Sequence, residues 1–294
     1  MLDVQQVSSA TLEVMISFDE LWHRKLGRPY QLHVERHGDA EKPVIVLLHG
    51  IAASGEDWNK FIPLLETEYY CITIDLLGFG KSPKPQWSAY TMVDHTRSLY
   101  HTMNKLHLGS RFILMGHSLG SFLAARYAAE HEANLERLYL LSPPVYPPLS
   151  SIEKRTARSL TGLLLRLYKF LRNEKMTPET FRRLSYLAPL PRSILRDSTT
   201  WVPFMRTLQQ CIEHQTILGD VRKLGIVTEV FYGTLDQVVV RANVERLARN
   251  KQVTLHSILA THDLSTRYAR NVKANLTKSQ MSNAAHTSSP SRAV

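Results

Sequence analysis

The chain has 294 residues, of which 44% are hydrophobic and 21% charged, the balance of a folded globular protein and not of a disordered or fibrous one. No apolar run reaches the roughly 18 residues that cross a bilayer, and the length suits one large α/β domain carrying an insertion. The net charge of +10 is uneven: residues 151–215 hold twelve Lys and Arg against five Asp and Glu, and residues 265–294 hold five against none.

Met1–Ala10 has no basic cluster leading into an apolar stretch, so no cleaved leader is expected. Only Cys71 and Cys211 are present; Cys71 falls in the apolar run Tyr69–Ile74 and is expected to be buried, and two structural thiols in a reducing, cytoplasmic setting are expected in preference to a disulfide. Ser17, Phe18, Asp19 and Glu20 fit a capping box that opens a short helix closing at Gly27. Gln31–Arg36 alternates like a half-exposed strand. Val44–Leu48 is continuously apolar, as a strand covered on both faces requires, and it ends at His49 and Gly50. Trp58–Leu65 reads as a helix, Tyr70–Ile74 as a strand, Met92–Leu106 as a longer helix and Arg111–Met115 as the next strand. Leu135–Leu141 is a further strand, followed by four prolines at 143, 144, 147 and 148, which break regular structure. Strand patterns resume at Ile226–Tyr232 and Val253–Ile258. This alternation of strand and helix predicts an α/β fold with a mainly parallel sheet. On this reading residues 1–144 and 216–278 form its core, residues 145–215 are a basic insertion, and residues 279–294 are expected to be a disordered tail.

The chemistry centres on Gly116, His117, Ser118, Leu119 and Gly120, set between a strand and the helical run Ser121–Ala125. So sharp a turn strains the backbone at Ser118 and leaves no room for side chains two residues to either side. The hydroxyl then projects at a helix N-terminus, where unpaired N–H groups favour negative charge. A serine hydroxyl needs a base within hydrogen-bond reach and a carboxylate that fixes the base's tautomer. Asp236 follows the strand ending at Tyr232, and His262 follows the strand ending at Ile258. Negative charge on a tetrahedral intermediate calls for main-chain donors, expected from Leu119 and from Ile51 in the loop after His49 and Gly50.

These residues, together with Asp75–Ser82 after a central strand, resemble the α/β-hydrolase superfamily, in its branch of serine esterases, lipases and carbon–carbon bond hydrolases. The resemblance spans residues 43–264. It implies a mostly parallel eight-stranded sheet with helices on both faces, a helical lid formed by residues 145–215 over the site, and the catalytic roles of nucleophile for Ser118, acid for Asp236 and base for His262. Two positions depart from the pattern, Thr261 where relatives carry glycine and Val240 where they carry proline, and neither removes a reacting group.

The rival base, His256, lies inside a strand. Of the rival acids, Asp220 precedes its strand and Asp263 adjoins the base, while the alternative acid slot after Leu141 holds Ser142 and prolines. His49 and His117 are expected to shape the oxyanion loop and the elbow. The thirteen histidines show no metal-ligand spacing, and no cofactor or metal is expected. In the insertion, Leu160, Leu163, Leu164, Leu167 and Leu171 share a helical face, with Arg158, Arg166, Lys169 and Arg172 around it. A lid helix over an acyl pocket accounts for this pattern; contact with an anionic lipid surface or an acidic carrier protein is the second reading. The charge lacks a nucleic-acid recognition motif, so no nucleic-acid partner is expected. The expected activity is serine hydrolysis of an ester-like bond in a small, partly apolar acyl substrate. Carbon–carbon bond cleavage in a ring-cleavage product, thioester or carrier-bound ester hydrolysis, and a non-catalytic binding protein on the same fold are the alternatives.

Overall fold

A computed structural model describes residues 18–146, 177, 179–180, 198–212 and 214–287. Seven strands form one sheet: β1 (Val34–His37), β2 (Val44–Leu48), β3 (Tyr70–Ile74), β4 (Phe112–His117), β5 (Leu135–Leu141), β6 (Thr228–Gly233) and β7 (Val253–Ile258). Their spatial order is β1-β3-β2-β4-β5-β6-β7. β1 runs antiparallel to β3, and all other neighbours are parallel. The eight strands implied by the resemblance are thus seven among the described residues, because the chain enters the sheet at Val34 and the segment just before it is helical at Glu20–Lys25.

Alternation along β2 explains the layering. Val44, Val46 and Leu48 join one apolar cluster and Ile45 and Leu47 the other, since successive side chains of a strand face opposite ways. The first cluster is closed by helix α1 (Met92–Leu106) and helix α2 (Leu119–His131), through Leu99, Met103, Phe122 and Leu123. Helix α3 (Trp201–Thr207) adds Phe204 to the same side. The second is closed by Trp58, Phe61 and Leu65 together with Tyr268, Val272 and Leu276 of helix α4 (Thr266–Thr287). Both faces of the central strands are therefore dry, which accounts for the unbroken burial of β2 and β4.

The first helical segment is a wide turn over Glu20–Lys25 in which Glu20 pairs with Arg24; Ser17, the cap of the expected capping box, lies outside the described residues. Two local expectations are corrected. The run Trp58–Leu65 is two pieces, a tight 3-10 turn at Gly55–Lys60 and a short helix at Ile62–Leu65, with Pro63 inside the first turn of the second, where its missing N–H costs nothing. The C-terminal segment is helical to Thr287, nine residues past Lys278, because the buried stripe Tyr268, Val272 and Leu276 anchors the helix on the sheet and no proline interrupts it. The leucines and cations assigned to the lid helix lie outside the described residues, as do residues 288–294.

Candidate active site

Parallel strands place every loop that follows them at one edge of the sheet, the edge where ligands gather in such folds. Ser118 follows β4, Asp236 follows β6 and His262 follows β7. Ser118 has φ 51° and ψ −116°, a left-handed value that a non-glycine residue adopts only when its surroundings enforce it. The enforcement is visible on both sides. Its amide donates to the Leu141 carbonyl at 2.9 Å, and its own carbonyl accepts the Ser121 amide at 3.0 Å. A Cβ on Gly116 would lie 2.2 Å from the Gly120 carbonyl oxygen, and one on Gly120 would lie 2.3 Å from that of Leu48. The two glycines are needed because the turn stacks main chain directly on main chain.

Asp236 Oδ2 lies 2.8 Å from His262 Nδ1, and His262 Nε2 lies 3.1 Å from Ser118 Oγ. An ionised carboxylate only accepts, so Nδ1 carries the proton and Nε2 is left with a lone pair facing the hydroxyl. The other carboxylate oxygen, Oδ1, accepts the Val238 amide at 2.8 Å and the Val239 amide at 3.1 Å. Burial alone would raise the pKa of Asp236, yet it lies below the ordinary carboxylate value, because the hydrogen bond and charge of His262 and the Val238 amide outweigh desolvation. Its conjugate base is thus the resident form at neutral pH, as a group that orients an imidazole must be.

The loop after β2 closes the site from the other side. His49 is fully buried; its Nε2 accepts the Leu76 amide at 2.8 Å and its Nδ1 donates to the Gly50 carbonyl at 2.7 Å. Gly50 packs against the elbow, so that a Cβ there would lie 3.1 Å from His117 Nδ1 and 3.3 Å from Ser118 Cβ. The sequence-predicted oxyanion donors, the amides of Ile51 and Leu119, belong to this loop and to the first residue of α2.

His117 donates from Nε2 to the His262 main-chain carbonyl at 2.9 Å, with the two rings 5.0 Å apart. Burial, and next the neighbouring His262, push its pKa down to about 3, so it stays neutral beside the candidate base. The rivals fall elsewhere. His256 is bound to Glu229 at 2.6 Å on the sheet face, Asp220 pairs with Arg126 at 3.2 Å on a helical turn, and Asp263 is exposed.

Two side-chain roles near the site were not read from the sequence, although Asp75 itself belongs to the stretch Asp75–Ser82 that carries the resemblance. Asp75 braces its edge, accepting the Gly55 and Lys81 amides at 2.7 Å each. Ser142, just after β5, has φ 46°, and its hydroxyl lies 3.2 Å from the Tyr268 hydroxyl; nothing in its sequence context distinguishes it from an ordinary post-strand serine. Cys71 and Cys211 are both free and buried. Among the described residues no group of three or more His, Cys, Asp or Glu is arranged to hold a metal ion, and no helix is long and apolar enough to cross a membrane.

Comparison with known proteins agrees with this architecture. Residues 43–178 match the family model described as the alpha/beta hydrolase fold. The chain is 34% identical over 111 residues to a probable lysophospholipase, BODYGUARD 4, of Arabidopsis thaliana, covering 37% of this chain and 26% of that protein. It is 31% identical over 107 residues to the pimeloyl-[acyl-carrier protein] methyl ester esterase of Legionella pneumophila, covering 36% of this chain and 40% of that one. The chain thus matches well under half the length of these curated relatives. Among solved structures, a membrane phospholipase A described as a bacterial virulence factor superposes with a TM-score of 0.66 at 22% identity, covering 87% of this chain and 89% of that one. Sheet order, strained elbow and family match together give this chain the alpha/beta hydrolase fold.

Proposed function

We propose that the protein is a serine hydrolase that cleaves a carboxylic ester-like bond of a small, partly apolar substrate through an acyl-enzyme. The observation that carries the reading is the continuous hydrogen-bonded path from Asp236 through His262 to Ser118, 2.8 Å and then 3.1 Å, ending on a strained residue. Strain at a buried position has no structural use that a glycine would not serve better.

In this mechanism Ser118 Oγ attacks the substrate carbonyl carbon while its proton passes to His262 Nε2. The carbonyl π electrons move onto oxygen, where the Ile51 and Leu119 amides stabilise them. Asp236 keeps the imidazolium oriented and offsets its charge without taking the proton. As the tetrahedral intermediate collapses, the leaving alkoxide takes that proton, and an acyl ester on Ser118 remains. Water then attacks the acyl carbon, gives its proton to the same nitrogen, and the carboxylic acid leaves as the serine is restored. His117, uncharged and bound to the main chain of residue 262, adds no repulsion to the imidazolium.

The relatives' names, a probable lysophospholipase, a methyl ester esterase and a phospholipase, support an ester as the bond attacked. Labelling with a fluorophosphonate tests the nucleophile: the full-length protein is expected to label and the Ser118→Ala variant not to. Absence of labelling in the unmodified protein would favour a binding protein on this fold. A panel of p-nitrophenyl esters of increasing acyl length, run beside a dienone diketone, separates ester from carbon–carbon bond cleavage.

A further inference from the structure

Asp236 sits in the loop between β6 and the helical turn Arg241–Val244, and the two halves of that loop are held in different ways. The near half is tied to the end of β7, just before His262: the Thr234 amide donates to the Ile258 carbonyl at 2.8 Å and the Leu235 amide to the Ala260 carbonyl at 3.0 Å. The far half, residues 237–239, folds back on the acid, so that the Val238 and Val239 amides reach Asp236 Oδ1 at 2.8 and 3.1 Å. Tyr146 holds this half from outside, its hydroxyl donating to the Val238 carbonyl at 2.6 Å.

The Val238 carbonyl and the Val239 N–H belong to one planar trans peptide and point in opposite directions. A donor that holds the carbonyl on one side turns the N–H to the other, where Asp236 Oδ1 lies. The two carboxylate oxygens are rigidly joined, so fixing Oδ1 fixes the plane in which Oδ2 meets His262 Nδ1 at 2.8 Å. Tyr146 is itself anchored. Its side chain is buried, its amide donates to Gln215 Oε1 at 3.0 Å, and Gln215 Nε2 donates to the Pro144 and Ile212 carbonyls at 3.0 and 2.9 Å. One glutamine thus clips the start of the insertion to its end. Phenylalanine would fill the same space with the same ring; what tyrosine adds is the donor.

We propose that Tyr146 is a positioning residue for the candidate acid: its hydroxyl, held by the Gln215 clip, fixes the Val238–Val239 peptide so that the Val239 amide keeps the Asp236 carboxylate aligned on His262. The kinetic consequence rests on the serine-hydrolase reading, but the hydrogen-bond relay does not depend on turnover. The neck of the insertion and the acid loop thereby form one unit, and a change in the neck reaches the carboxylate.

The test is Tyr146→Phe in the full-length protein, with Gln215→Ala as a second variant that leaves the phenol in place and loosens only its anchor. With p-nitrophenyl butyrate, Tyr146→Phe is expected to lower kcat about fivefold, the worth of one net hydrogen bond, with KM changed less than about twofold. Gln215→Ala is expected to lower kcat by about twofold. In amide NMR spectra the Val239 proton, donated to a carboxylate, is expected to move upfield and to exchange faster with solvent in both variants, and more in Tyr146→Phe, while the Leu235 amide stays in place. A Tyr146→Phe protein that melts lower but keeps its kcat and its Val239 resonance would overturn the proposal and leave Tyr146 a packing residue. If Tyr146→Phe does not fold, Gln215→Ala decides, and an unmoved Val239 resonance there overturns the relay. If the unmodified protein neither labels with fluorophosphonate nor turns over esters, the hydrolase reading fails, and the Val239 resonance alone then decides the role of Tyr146.

Discussion

His49 and Leu76 tie together the two loops that flank the elbow: the Leu76 amide donates to His49 Nε2 at 2.8 Å, which leaves the His49 Nδ1 proton for the Gly50 carbonyl at 2.7 Å. A peptide's C=O and the following N–H point in opposite directions, because the unit is planar and trans. Holding the Gly50 carbonyl toward His49 therefore turns the Ile51 N–H the other way. The histidine after β2 thus works on the main chain and not on protons, and burial keeps it neutral for that purpose by lowering its pKa.

Replacing it should misalign one oxyanion donor. His49→Ala is expected to lower kcat about 10²-fold, near the cost of removing one such donor, with a smaller change in KM. It should also cost about 1–3 kcal/mol in urea unfolding, since the Leu76 amide is left buried without a partner. A His49→Ala variant that keeps full kcat would remove Ile51 from the mechanism.

Gly120 tests the close approach of main chain to main chain. A Cβ there meets the carbonyl oxygens of Leu48 and His49 at 2.3 and 2.6 Å, and neither is a flexible side-chain tip that can swing away. Gly120→Ala is expected to destabilise by about 3 kcal/mol, as overpacking of a rigid site does, and to abolish fluorophosphonate labelling. Gly219, whose added Cβ meets nothing within 4 Å, is the control: Gly219→Ala should be neutral or stabilising.

Acid should destabilise the protein through its buried histidines. Burial is the main cause that lowers the pKa of His117 to about 3 and of His95 to about 4, and it also lowers that of His49. The unfolded chain protonates these groups near the ordinary value of about 6.5, while the native state keeps them neutral. Stability is therefore fully retained above that value and falls as pH drops from about 6.5 toward 4, at up to about 1.4 kcal/mol per pH unit for each histidine. His95→Gln, which can still reach the Thr207 hydroxyl that His95 contacts at 3.1 Å, should flatten the pH dependence of urea unfolding by close to one proton. An unchanged slope would show that His95 does not stay neutral in the fold.

Much of this architecture was legible because it rests on short-range patterns. Val44–Leu48, Tyr70–Ile74, Met92–Leu106, Leu135–Leu141 and Val253–Ile258 occupy the ranges that their apolar periodicity predicts. The glycines around Ser118 announce a turn that excludes side chains. What the sequence hid is tertiary. Ser142 looks like any polar residue after a strand until Tyr268, 126 positions away, arrives beneath it. His117 reads as a turn residue until β7 brings the His262 carbonyl to it. The helical continuation past Lys278 was masked by a polar composition, and only the packing of Tyr268, Val272 and Leu276 against the sheet explains why that helix is anchored.

The strain at Ser118 offers a test that separates chemistry from folding. With φ 51° and ψ −116°, the residue holds a conformation that costs of order 1–3 kcal/mol for any side chain except glycine. Ser118→Ala removes the nucleophile and keeps the strain. Ser118→Gly removes both, at the expense of about 0.5–1 kcal/mol of extra chain entropy in the unfolded state. Both variants should lose turnover by about 10⁴-fold or more, yet Ser118→Gly should unfold at higher denaturant than Ser118→Ala, by about 1 kcal/mol. Equal stabilities would mean that the elbow is not strained in solution, and residual turnover within tenfold of the unmodified protein would require another nucleophile.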